Sequence, residues 1–191
     1  WRSPVPPQPI EFTLSPPDGT SFTATPGFIS VSPDGRQVAY FTGPQGEGRL
    51  WLRSLGEIDA RPVPAASGGW HMAWSPDQRS IVFVPGGDRG PLKRADLAGG
   101  PARALAEDAA NRPAWNPEGI ILFTSSKPPN RLMRVQEAGG PATPASELNA
   151  GGGEIGHSWP VFLPDGRRFI FLARNQNPSK SALFLGSLGT M

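Results

Sequence analysis

One pentapeptide constrains this chain more than any other feature. Ser32-Pro33-Asp34-Gly35-Arg36 returns as Ser75-Pro76-Asp77-Gln78-Arg79, then as Asn116-Pro117-Glu118-Gly119, and again as Leu163-Pro164-Asp165-Gly166-Arg167. The starts at 32, 75, 116 and 163 lie 43, 41 and 47 residues apart. A four-stranded propeller blade repeats with a period of roughly 40–45 residues. Before each motif stands a large apolar residue: Val31, Trp74, Trp115 or Phe162.

The flanks repeat as well. After each motif comes a continuous apolar run: Val38–Phe41, Ile81–Val84, Ile120–Phe123 and Phe169–Leu172. Such runs mark strands buried on both faces, as strands sandwiched between neighbouring blades are. A third segment follows a Gly/Pro/Asn-rich turn, at Leu50–Leu55, Leu92–Leu97, Leu132–Val135 and Leu183–Leu188. A weaker fourth segment comes next, at Arg61–Pro64, at Arg103–Leu105 and near Ala142–Pro144, and its prolines suit an outer edge strand. Each blade therefore reads as strand, Asp-Gly hairpin, strand, loop, strand, turn and edge strand. Asp-Gly predicts a two-residue hairpin of the primed type, with positive φ at both central residues. Gln78 departs from that pattern; a side chain there costs on the order of 1 kcal/mol, or the turn is of another type.

Composition agrees with an all-β chain. Gly and Pro number 24 each, so they interrupt nearly every helical window, while apolar residues stay at 37%. The net charge of +2 and the absence of any Lys/Arg run longer than two argue against a nucleic-acid groove. With no cysteine, disulfides, thiolate metal sites and cysteine nucleophiles are excluded. No stretch approaches 18 apolar residues, so no membrane span is expected in this segment.

The expected domain plan is a Pro-rich linker over 1–9 and blades over about 27–66, 67–107, 108–148 and 149–191. Ile10–Leu14 alternates like a strand and is expected to close the ring or to form an edge. Two readings stay open, a four-bladed ring closed by that strand and four blades of a larger ring; the second is preferred. An open array exposes an apolar blade face, so self-association is an expected property.

The segment Ser32-Pro33-Asp34-Gly35-Arg36-Gln37-Val38-Ala39-Tyr40 resembles the TolB-like, WD-repeat-like bacterial propellers. Leu50–Leu55, Gly119–Phe123 and Trp159–Arg167 are similar to the C-terminal propellers of bacterial membrane-anchored serine/threonine protein kinases. That resemblance implies an extracytoplasmic sensor propeller, tethered by a membrane helix outside this segment. Related propellers stand alone in the periplasm or precede serine peptidase domains, and both remain alternatives.

No catalytic residues are expected. The kinase signatures and the Gly-x-Ser-x-Gly elbow are missing from this sequence, and Gly151-Gly152-Gly153 lacks the Lys of a phosphate loop. No cofactor or metal is expected, because two histidines fall short of a usual ligand set. Both histidines lie just before an expected innermost strand. Trp70, His71, Arg112, His157, Ser158 and Trp159 together form a candidate ligand-binding mouth at one end of the channel, for a protein or small ligand. The competing reading packs the two tryptophans between blades and hydrogen-bonds the histidines locally.

Overall fold

Apolar runs with a period near 43 residues produce four blades of antiparallel strands, in three hydrogen-bonded sheets because the long β8 joins blades two and three. A computed structural model describes residues 11, 13–22, 28–44, 47–86 and 89–189. Blade one contains β1 (Ile29–Val31), β2 (Gln37–Thr42), β3 (Arg49–Ser54) and β4 (Arg61–Ser67). Blade two contains β5 (Gly69–Trp74), β6 (Ser80–Pro85), β7 (Arg89–Asp96) and the first half of β8 (Arg103–Trp115). Blade three takes the second half of β8, then β9 (Ile120–Ser125), β10 (Leu132–Gln136) and β11 (Thr143–Pro144). Blade four has β12 (Glu154–Phe162), β13 (Arg168–Asn175) and β14 (Ala182–Ser187). Neighbours within each blade pair antiparallel in sequence order. The fold is an all-β propeller array, as the repeat predicted.

The hairpins differ from the expected turn. Ser32 N donates to Gln37 O at 2.8 Å and Gly35 N to Ser32 O at 2.9 Å, so four residues make the connection. Positive φ is needed only at the Gly position, at 72° in Gly35. The side chains explain why. Asp34 Oδ1 accepts from Ser32 Oγ at 2.6 Å and from Arg36 N at 3.0 Å, while Ser32 Oγ accepts from Gln37 N at 2.9 Å. These bonds satisfy the loop amides locally. Ser75 and Asp77 repeat the arrangement. Gln78 takes the left-handed conformation itself, at φ 62°. In blade three Asn116 replaces the serine; its Oδ1 accepts from Ile120 N at 2.7 Å, and its Nδ2 donates to Gly166 O of blade four at 2.7 Å.

The core lies between blades. Along β6, Ile81 and Phe83 pack into a cluster with Phe41, Leu50 and Trp74, while Val82 and Val84 join Trp115, Ile121 and Phe123 on the other side. A third cluster joins Leu122 and Leu132 to Phe169, Phe171 and Ala173. Alternation within a continuous apolar run thus gives β2, β6 and β9 two buried faces. Arginines fasten the outer part of each junction. Arg61 donates to Leu97 O at 3.2 Å, Arg94 to Glu137 O at 3.2 Å and Arg134 to Leu188 O at 3.0 Å. Each accepting carbonyl lies at the end of the next blade's third strand.

The two ends of the array are uncovered. Ile170 occupies the repeat position of the fully buried Ala39, Val82 and Leu122, yet is 37% exposed. Val161, Leu183 and Leu185 share its exposure, as do Ile29 and Val31 at the opposite end. Among the described residues, no apolar cluster joins blade four to blade one. Ile10 and Phe12 of the expected closing strand, and the expected linker over 1–9, lie outside the described residues; Glu11, Thr13 and Leu14 are in no strand.

Replacing Gln78 with Gly removes a left-handed side chain and raises stability by about 1 kcal/mol, read as a higher urea midpoint at unchanged m-value. Asp165 is held at about 2, well below the usual carboxylate range, by the Arg168 amide and guanidinium and then the Arg167 amide. Its stabilising effect is present above the unfolded value near 3.8 and is lost as pH falls toward 2. A carboxyl NMR titration is expected to place its midpoint near 2, and Arg168→Ala should move that midpoint upward.

Candidate functional site

The innermost strands are β1, β5, the second half of β8, and β12. β8 packs against both β5 and β12, which brings three innermost strands side by side. Each of the three carries extra residues, in β8 and β12 at one level and in β5 a step away. In β5 the register skips Trp70, between Gly69 opposite Pro85 and His71 opposite Val84. β8 skips Asn111, Arg112 and Pro113, between Ala110 opposite Thr124 and Ala114 opposite Leu122. β12 skips Trp159 and Pro160, between Ser158 opposite Leu172 and Val161 opposite Ile170. Val84, Thr124 and Leu172 are equivalent positions of the repeat. The β8 and β12 bulges, opposite Phe123 and Phe171, therefore stand side by side, while the β5 bulge lies on the other side of that position, next to Pro85. Bulges bend a strand and re-aim its side chains, and they concentrate beside functional sites.

The backbone is strained at this level. Asn111 has φ 60° and Trp159 has φ 54°. Asn tolerates that region, whereas a bulky side chain there is a true outlier, costing of order 1–3 kcal/mol. Trp159 is also 51% exposed. Arg112 is exposed beside Asn111.

The other candidates lie deeper. Trp70 is buried and stacks on the half-buried His71 ring, with centroids 5.9 Å apart and planes 8° apart. Ser158 is buried, and neither its Oγ nor Trp70 Nε1 has a hydrogen-bond partner among the described residues. His157 is only 2% exposed, and both ring nitrogens are engaged. Its Nδ1 lies 2.7 Å from Ser146 Oγ and its Nε2 lies 3.1 Å from Glu154 Oε2. The Asn149 amide donates to the same carboxylate at 2.7 Å and, with His157, holds Glu154 below the usual carboxylate range. An ionised Glu154 calls for a proton on Nε2. Nδ1 is then an acceptor for the Ser146 hydroxyl, which itself accepts from Leu132 N at 3.0 Å. The His157 amide donates to Asn130 O at 2.7 Å, and its ring packs on Phe171 at 4.7 Å. This network ties blade three to blade four beneath the bulged row.

Arg112 and Trp159 thus share the row of bulges on β8 and β12, and Trp70 lies in the offset bulge of β5. His71 and Ser158 border these bulges, and His157 lies behind them. Sequence reading missed Ser146 and Glu154, because their contacts join separate segments through the blade junction. Asn111 left one signal, an Asn-Arg-Pro break before an innermost strand. Among the described residues, no group of three or more His, Cys, Asp or Glu side chains is placed to hold a metal ion. Nor does any described helix have the length and apolarity to cross a membrane.

No family model and no curated protein sequence matches this chain. Solved structures do. TolB from Acinetobacter baumannii superposes with TM-score 0.69 at 16% identity, over 85% of this chain and 41% of that one. A protein assigned as TolB in Agrobacterium tumefaciens gives TM-score 0.67 at 18% identity, over 84% of this chain and 64% of that one. A prolyl endopeptidase gives 0.58 at 14% identity, over 83% of this chain and 26% of that one. At these identities the likeness is one of fold: a TolB-like propeller. The chain spans 41% and 64% of the two TolB chains' lengths.

His157→Ala removes the partner of the half-buried Glu154 carboxylate and Ser146 hydroxyl. It is expected to lower stability by about 1–3 kcal/mol in urea unfolding, and Ser146→Ala by less.

Proposed function

We propose that this propeller is a non-catalytic interaction module working outside the cytoplasm, and that it binds a protein or ligand through the bulged row of its innermost strands. One observation carries this reading. Two successive innermost strands, β8 and β12, are interrupted at the same repeat position, opposite Phe123 and Phe171, and these interruptions hold Arg112 and Trp159; the β5 interruption at Trp70 lies one step away, between Val84 and Pro85. A fold that only packs has no use for strained, half-exposed indole at such a place. In the proposed mouth, Trp159, Arg112 and His71 meet the partner. Trp70 and Ser158 border it from within, and His157 acts as a positioning residue through the blade junction.

The wider context follows from the repeat motifs. Their similarity to kinase-attached propellers favours a sensor joined to a bacterial serine/threonine kinase through a membrane helix outside this segment. The stand-alone TolB-like scaffold is the second reading, favoured by the superpositions on TolB chains. The peptidase-gate reading has the weaker support of the prolyl endopeptidase likeness. The uncovered Ile170 face favours an array that continues into a larger ring.

A photo-crosslinking residue at position 112 of the native protein tests the mouth. Adducts from position 112, with none from Thr143 on the outer edge strand, are the expected result. Equal yield at both positions, or none at either, would overturn the reading. Immunoblotting the same extracts separates the contexts: a membrane-bound band far above 20.3 kDa fits the kinase sensor, and a free periplasmic band fits the scaffold.

A further inference from the structure

We infer that the bulged row recognises an acidic, apolar-flanked segment of a protein partner, with Arg112 pairing its carboxylate and Trp159 covering the neighbouring apolar side chain. This rests on the interaction reading above and adds the partner's chemistry.

Charge is the first argument. The six bulge residues, Trp70, Asn111, Arg112, Pro113, Trp159 and Pro160, include a single charge, the Arg112 guanidinium. Arg112 is exposed, and no described carboxylate lies within ion-pair distance of it. The acids of the surrounding strands are committed elsewhere. Asp108 pairs with Lys127 at 2.7 Å, and Glu154 is held by His157 and the Asn149 amide. Glu107, the remaining acid of β8, belongs to the part of that strand that pairs with β7. Arg94, Arg103 and Arg134 spend their guanidinium groups on carbonyls of blade junctions or turns. A free guanidinium in a row without acids offers a carboxylate a charge-assisted, bidentate contact.

The second argument is the setting of that charge. Trp159 is held on the adjacent innermost strand in a left-handed conformation, and Pro113 and Pro160 stiffen the two bulges. A rigid half-exposed indole and an exposed guanidinium at equivalent bulges of adjacent strands have the composition of a protein-interface hot spot. Buried Ser158 Oγ, next to Trp159, and Trp70 Nε1 in the offset bulge of β5 have no hydrogen-bond partner among the described residues and add polar atoms for a partner's backbone or bridging water to satisfy. Nucleic acid fits poorly, because one cation neutralises too few phosphates. A glycan fits poorly too, because the row has few side chains to read hydroxyl groups.

The test pans a phage library of random dodecapeptides on the 191-residue chain. Selected peptides are then measured as synthetic ligands by fluorescence anisotropy. Enrichment of Asp or Glu next to Leu, Phe or Trp is expected. Arg112→Gln should weaken those peptides roughly tenfold, as loss of a charge-assisted contact does. Trp159→Ala should weaken them at least as much, with Trp159→Phe retaining part of the affinity and unchanged circular dichroism in each variant. Neutral or basic consensus peptides that ignore Arg112→Gln yet need Trp159 would overturn the acidic partner while leaving the mouth intact. Peptides insensitive to both substitutions would overturn the mouth as well. Recovery of no consensus would overturn the acidic-segment inference.

Discussion

Everything in this protein depends on the second strand of each blade being apolar on both faces. A blade is a small antiparallel sheet whose apolar faces must be covered by another layer. Ala39, Val82 and Leu122 each disappear completely against the following blade. Phe83 and Ile121 do the same against the preceding one. Stability is therefore a property of junctions, and each junction needs both of its blades. The uncovered Ile170, Leu183 and Leu185 show what that interaction looks like when one side is left open.

The polar bonds follow the same logic. The repeat's arginines donate to carbonyls one blade further on, as in Arg94 to Glu137 and Arg134 to Leu188. Asn116 reaches from its own hairpin to Gly166 of the next. Arg94 also stacks over Trp115, with its guanidinium 5.3 Å from the ring centroid. The Ser146–His157–Glu154 network is a further junction bond, at the inner end of the last interface. It ties a half-exposed segment after β11 to an innermost strand, and so places the residues that follow His157. The strained Trp159 is two residues on. A tight junction and a strained exposed indole thus sit back to back, and the first supplies the stability that the second consumes.

The hairpins show how far a short motif can be read. Ser-Pro-Asp-Gly located every turn and every following strand. Its mechanism is different from the one Asp-Gly first implies. Ser32 and Asp34 build a hydrogen-bonded loop of four residues, and only Gly35 needs a left-handed backbone. Gln78 can then replace Gly, because the strain falls on one residue and the serine–aspartate scaffold remains.

Sequence alone determined the fold class, the period, the order of strands within a blade and the apolar runs of the second strands; whether both faces of a run are buried depended on a neighbouring blade, as Ile170 shows. These depend on local pattern: apolar runs, turn residues and their spacing. The sequence pattern put Trp70, Arg112 and Trp159 just before innermost strands, whereas the structure places them inside β5, β8 and β12 because the bulges lengthen those strands. Tertiary structure decided the rest. Whether Trp159 is buried or exposed, whether His157 faces solvent or Ser146 and Glu154, and whether Arg112 meets a carboxylate depend on register. A bulge moves register by one or two residues without leaving a mark in the hydrophobic pattern. Contacts across a blade junction join segments some 40 residues apart, and only folding brings them together.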